Sequence, residues 1–152
     1  MAKRSARGGK ASSLDGLSTR VMELARLYQL RSRDRACRFG ITVSQCYALE
    51  AIVERGGVGV TALAGALALD KSNASRVAES LIAIGLAAVE DVPGNARAKR
   101  LIATSKGGKL AARIAADIRA EHEKAFGSFR QDEIEACERV LASLLAAPAK
   151  RR

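Results

Sequence analysis

The chain has 152 residues, enough for one domain with extra helices for assembly. Its 48% hydrophobic content excludes a disordered chain, and with 3% aromatics and no Trp the core must come from Leu, Ile, Val and Ala, a helix-favouring set. A formal net charge of +10 points to a polyanion partner, and no apolar run approaches the roughly 18 residues of a membrane span, so a soluble, cytoplasmic protein with no membrane partner is expected.

Residues 1–16 carry Lys3, Arg4, Arg7 and Lys10 among Gly, Ser and Ala, and are expected to form a flexible basic tail. Residues 148–152, with Lys150, Arg151 and Arg152, form a shorter one. Between them Leu17, Val21, Leu24 and Tyr28 follow four-three-four spacing, which predicts a first helix within residues 17–40 ending near Phe39-Gly40. Thr42-Val43-Ser44-Gln45 is a capping-box pattern that opens a second helix, stopped by Gly56-Gly57. Val58 to Val60 reads as a short β-like piece, and Thr61 is expected to cap a brief third helix through Leu67. Asp70 is placed to cap a fourth helix running to Ile84 and halted by Gly85. A strand from Leu86 to Glu90, a turn over residues 91–96 and a returning strand from Arg97 to Ala103 follow. Thr104-Ser105 can cap a long fifth helix to about Phe126, and a sixth carries Ile134, Cys137, Leu141 and Leu144 on one face.

Two consecutive helices joined by a short connection and followed by a β-hairpin with a basic tip outline a winged helix-turn-helix. The fold class is therefore mainly α with a small hairpin wing. Residues 41–104 would bind DNA, and residues 17–40 and 105–147 would supply dimerisation helices. In the fourth helix Ala74, Val77, Leu81 and Ile84 are expected to face inward. Lys71, Ser72, Asn73, Ser75, Arg76 and Glu79 lie toward the outside. Short hydrogen-bonding side chains and cations near a helix start suit base edges in a major groove, Arg matching guanine and Asn adenine; an ordinary solvated face carries similar residues. Arg97, Lys99 and Arg100 beside the narrow tip Pro93-Gly94-Asn95 tilt the balance, because a cationic hairpin next to such a helix can straddle phosphates or enter the minor groove. The expected DNA contacts are Lys71, Ser72, Asn73, Ser75, Arg76, Asn95, Arg97, Lys99 and Arg100.

Residues from about Gly40 to Lys109, in the stretches GITVSQCYALEAI, TALAGALALDKSNASRVAESLIAIGLA and NARAKRLIATSKGGKLA, resemble the MarR (multiple antibiotic resistance regulator) family of bacterial repressors. The resemblance implies a triangular homodimer whose first, fifth and sixth helices pack across a two-fold axis. It also implies a fourth helix in the major groove and a wing at the minor groove. The family's wing usually carries Asp-x-Arg. The matching triplet here is Asn95-Ala96-Arg97, which keeps the Arg but lacks the carboxylate that would orient it. Independently, apolar stripes on the first and sixth helices call for a partner surface. A two-fold dimer supplies one and predicts a palindromic site with half-site centres roughly 34 Å apart.

Cys37 lies between Arg35 and Arg38, and Cys46 in the first turn of the second helix; nearby cations and a helix start both favour thiolate. Cys137 falls in the apolar stripe of the sixth helix. The three are candidate sensor thiols, for oxidation or for a thiophilic metal or metalloid, with Cys137 as a possible third ligand. Inert packing is an equally simple role, because Cys46 shares a stripe with Leu49 and Val53. Members of the resembled family sense oxidants, metals or small phenolic ligands, so a small organic effector is a further candidate. His122, between Glu121 and Glu123, is the only histidine and reads as solvated. No cofactor is required, and an enzyme is not expected. There is no G-x-S-x-G or H-E-x-x-H, and SKGGKL lacks the first Gly and the Ser/Thr of a phosphate loop. A non-specific architectural DNA-binding protein is the alternative.

Overall fold

The computed structural model describes residues 5–92 and 94–146, with side chains described from residue 15 onward except at 96 and 97. In chain order it contains α1 (Ser5–Arg38), α2 (Val43–Glu54), α3 (Val60–Leu67), α4 (Lys71–Ala83), β1 (Ala87–Val92), β2 (Asn95–Ala103), α5 (Ser105–Phe126) and α6 (Gln131–Ala146). It falls into two compact units, one up to Ala111 and one from Ala112.

In the first unit, α2 starts where its capping box predicts. Thr42 Oγ1 accepts from the Gln45 backbone N–H at 3.2 Å, while Gln45 Oε1 accepts from the Thr42 N–H at 2.8 Å. Gln45 also reaches across the core, donating through Nε2 to Ser80 Oγ at 3.0 Å, so one side chain both caps α2 and ties it to α4. Asp70 caps α4 by accepting from the Asn73 N–H at 2.9 Å. At the other end of α4, Gly85 (φ 73°) turns the chain so that its N–H bonds Ile82 O and the Leu86 N–H bonds Leu81 O.

The core gathers Ala48, Leu49 and Ile52 of α2, Leu63 of α3, Ala78 and Leu81 of α4, with Val58, Leu86, Ala87 and Leu101. The strands pair antiparallel with Ala87 opposite Ala103 and Asp91 opposite Lys99. Val58 adds the predicted β-like piece as a single bridge to Leu101, closed by two backbone bonds of 2.9 and 2.8 Å.

Several expectations change. The first helix begins at Ser5, not near residue 17, so residues 5–16 are its opening turns and not a tail. Ala, Lys, Arg and Ser at most of these positions tolerate a helix well enough to extend it, despite Gly8 and Gly9. Residues 1–4 and the tail at 148–152 lie outside the described residues. The third helix starts two residues early, with Gly59 at its cap position and no side-chain cap, so Thr61 lies inside it. The hairpin is longer and its turn tighter than predicted, because pairing continues past Glu90 through Asp91 and Val92. In α4 the inward positions are Ala74, Ala78 and Leu81. Val77 is half-buried, and Ile84, just past the helix, is exposed.

In the second unit, α5 continues to Phe126, where His122 packs edge-on against the Phe126 ring at 5.9 Å. Every residue of α6 is exposed. The Arg130 N–H donates to Glu133 Oε2 at 3.0 Å, and its guanidinium meets Asp132, closing the entry to that helix.

Candidate nucleic-acid interface

The connection between α3 and α4 is three residues, Ala68, Leu69 and Asp70. It folds back through Ala68 in the left-handed region (φ 52°), with the Leu69 N–H bonding Ala64 O. This geometry sets α3 and α4 as consecutive helices on the α2 core and leaves the first turns of α4 open to solvent. Lys71, Ser72, Asn73 and Arg76 are exposed there, and Ser75 is half-buried.

These side chains are not equivalent. Asn73 is engaged with the cap, its amide donating to Asp70 Oδ2 while its backbone N–H donates to Oδ1. Those bonds hold the Asp70 carboxyl below its ordinary value, the Asn73 backbone N–H first and its side chain second. Ser75 Oγ donates to Glu79 Oε1 at 3.2 Å. Lys71 and Arg76 have no ion-pair partner among the described residues.

The hairpin stands beside α4. Between them lies a cleft of about 160 Å³ lined by Ala78 and Ile82 on the helix and Val89 and Leu101 on the strands. Lys99 Nζ donates to Asp91 Oδ1 at 2.7 Å, and Arg100 donates through Nε and Nη2 to Glu90 Oε1 at 3.2 and 2.6 Å. Glu90 faces Arg100 and Asp91 faces Lys99 directly across the ladder. Two of the wing cations that sequence reasoning treated as open to phosphate, Lys99 and Arg100, are thus each matched by a carboxylate. Only strand register reveals this, since Glu90 and Asp91 lie eight to ten residues from their partners.

Beyond Asp91 the register jumps, with Val92 opposite Asn95, so residues 96–98 of β2 have no direct partner on β1. The Arg97 backbone therefore lies in a bulge near the tip; its side chain lies outside the described residues. Asn95 is exposed next to Gly94 (φ 80°) at the turn.

Sequence reasoning missed the clasp that holds the end of α4. Three successive carbonyls are taken by the start of α5. Lys106 Nζ donates to Ile84 O at 2.8 Å, Thr104 Oγ1 donates to Gly85 O at 2.7 Å, and the Thr104 N–H donates to Leu86 O at 3.1 Å. Thr104 Oγ1 also accepts from the Gly107 N–H at 3.1 Å, the cap foreseen at Thr104-Ser105. The SKGGKL segment is the joint between α4 and α5.

Cys37 is exposed, Cys46 is buried, and Cys137 is exposed in the second unit. Burial pushes the Cys46 thiol up, Glu50 adds to this and Arg35 opposes it, so the helix start does not make it a thiolate. No group of three His, Cys, Asp or Glu side chains able to hold a metal occurs among the described residues of one chain.

Residues 39–98 match the model of the MarR family. No curated protein matches the sequence. The fold is similar to that of a MarR family transcription regulator over 93% of both chains (TM-score 0.84, 24% identity). It is also similar to a MarR family protein from Bacillus stearothermophilus over 88% of this chain and 94% of that one (TM-score 0.76, 22% identity). CouR from Rhodococcus jostii, bound to p-coumaroyl-CoA, matches over 90% of this chain and 96% of its own (TM-score 0.75, 20% identity). The 39–98 segment thus resembles the MarR family in sequence, and the chain has the winged helix-turn-helix fold of MarR-family structures over most of its length.

Proposed function

We propose that this protein is a sequence-specific DNA-binding transcriptional regulator acting as a homodimer. One observation carries the reading: α4 presents Lys71, Ser72 and Arg76 from an exposed first face, beside a hairpin rich in cations. A capped helix start with short polar side chains and a free Arg has the dimensions and donors of a major-groove reader, and the hairpin tip reaches toward the adjoining backbone. Repression, released by a chemical signal, is the expected mode.

A second copy supplies cover for apolar side chains that each unit leaves in water. On α1 these include Leu17, Leu24 and Leu30, and on α6 Leu141, Leu144 and Leu145. Burying one such side chain is worth about 1.5–3 kcal/mol. A two-fold dimer presents two copies of α4 and requires a palindromic site.

For the signal, a small organic effector is favoured over a metal or metalloid held by the thiols. The similar CouR structure holds p-coumaroyl-CoA, whereas burial pushes the Cys46 thiol up and no three-ligand group occurs among the described residues. Replacing Cys37 and Cys46 by Ser leaves effector-driven release intact under this reading. Loss of all release on that replacement would restore the thiol switch.

The test of the function itself is selection from pooled random duplexes near physiological salt, followed by sequencing of the bound DNA. The expected result is an enriched inverted repeat with half-sites about one helical turn apart. Salt-sensitive binding with no enriched motif would favour a non-specific architectural protein instead.

A further inference from the structure

Resting on the DNA-binding reading above, we propose that Glu90 and Asp91 mask Lys99 and Arg100, keeping two of the wing's cations out of sequence-independent DNA binding. In a chain of net charge +10, two carboxylates stand on the hairpin that flanks α4. Each lies directly opposite a cation in the strand register and within ion-pair distance of it, 2.6 Å for Glu90–Arg100 and 2.7 Å for Asp91–Lys99.

The two pairs differ in strength. Glu90 and Arg100 are about one-third exposed, and Arg100 gives two hydrogen bonds to one carboxylate oxygen. Its side chain passes close to Gly57, where an added Cβ would come within 3.1 Å of Arg100 Cδ. Asp91 and Lys99 are about two-thirds exposed, so this pair is weak and screened by salt. A phosphate must compete with the carboxylate for either cation. On a random duplex no base contact from α4 holds the wing in place to drive that exchange. Lys99 and Arg100 then release few counterions, whereas Arg76, which has no carboxylate on it among the described residues, releases its share.

A salt titration on a random-sequence duplex reads this directly. Each phosphate contact steepens the dependence of log affinity on log salt by about 0.9, so one more contact gives about 3.5-fold extra affinity for a fourfold drop in salt. Lys99→Ala in the otherwise unchanged chain should leave slope and affinity almost as they were. Asp91→Asn should steepen the slope by nearly one contact, and Lys99→Ala added to Asp91→Asn should remove that gain. Glu90→Gln with Arg100→Ala forms the second cycle, and because Arg100 is partly packed, the exposed Asp91–Lys99 cycle is the deciding one. Lys99→Ala lowering slope and affinity equally in both backgrounds would overturn the proposal, because it would show simple additive charge with no masking. Arg76→Ala separates this from the parent reading. If the unchanged chain binds no duplex, or Arg76→Ala leaves salt-sensitive binding untouched, the assignment of α4 to DNA fails and the masking with it. A loss with Arg76→Ala alongside additive Asp91 and Lys99 effects overturns the masking alone.

Discussion

A Cβ on Gly107 would lie 2.0 Å from Leu86 O and 3.2 Å from Leu49 Cδ1, while one on its neighbour Gly108 would meet nothing within 4 Å. Gly107→Ala is therefore expected to push the start of α5 off the carbonyls it clasps, at about 1–3 kcal/mol. Gly108→Ala should gain about 0.5–1 kcal/mol from helix propensity. Urea midpoints of the two variants check the contrast, and similar shifts for both would contradict the close approach. At Asp70 the matter is charge. Its carboxyl is held below its ordinary value of 3.8 by the Asn73 N–H and amide. A lowered folded value means the cap's contribution is present above 3.8 and is lost as pH falls through the lower value. Against Asp70→Ser, whose hydroxyl cap does not titrate in acid, the native chain should be more stable at neutral pH. Its advantage should close on acidification in thermal melts across the acid range. A gap that stays constant down the acid limb would contradict the assignment.

Helices α1, α2 and α4 and the segment after α3 end on the same pair of backbone bonds, and three of the four turns use glycine. The fourth uses Ala68 at φ 52°, a left-handed conformation that a β-carbon disfavours. Ala68→Gly should raise stability by about 0.5–1 kcal/mol in chemical unfolding without changing DNA selectivity, since the backbone already has the required shape. What the sequence made legible shares one property with these caps, locality. Thr42 and Gln45, Asp70 and Asn73, and Thr104 and Gly107 each act within three residues, so spacing alone announced them. The hairpin was legible as alternation and a Pro-Gly turn, but its true length was not. The pairs Asp91–Lys99 and Glu90–Arg100 exist only once register is set. For the same reason Lys99 and Arg100 read as open cations, and Cys46 stayed open between a sensor thiol and a packed side chain. Charge counting along the chain sees neither the carboxylate across the ladder nor the core around the sulfur. Asn73 and Ser75 read as base contacts, and the structure finds both already hydrogen-bonded within α4 and its cap.

For the whole molecule, the exposed apolar side chains of α1 and α6 are those a second copy would cover in the proposed homodimer. Leu144→Glu, on an α6 with no buried residue, should leave the first unit folded while shifting the protein from dimer to monomer in sedimentation equilibrium. It should also weaken operator binding far more than random-duplex binding, because two linked copies of α4 are lost together. An undiminished dimer would place the interface elsewhere. The central claim is that the exposed face of α4 reads base sequence. Its most direct measurement is the affinity of Arg76→Ala for the selected inverted repeat and for a scrambled duplex of equal length, at one salt concentration. Arg at a base edge is worth about 1–3 kcal/mol of discrimination, so binding to the repeat should fall by about 5- to 150-fold in excess of any loss on the scrambled duplex. Equal loss on both duplexes would contradict the account and leave Arg76 as a phosphate contact only.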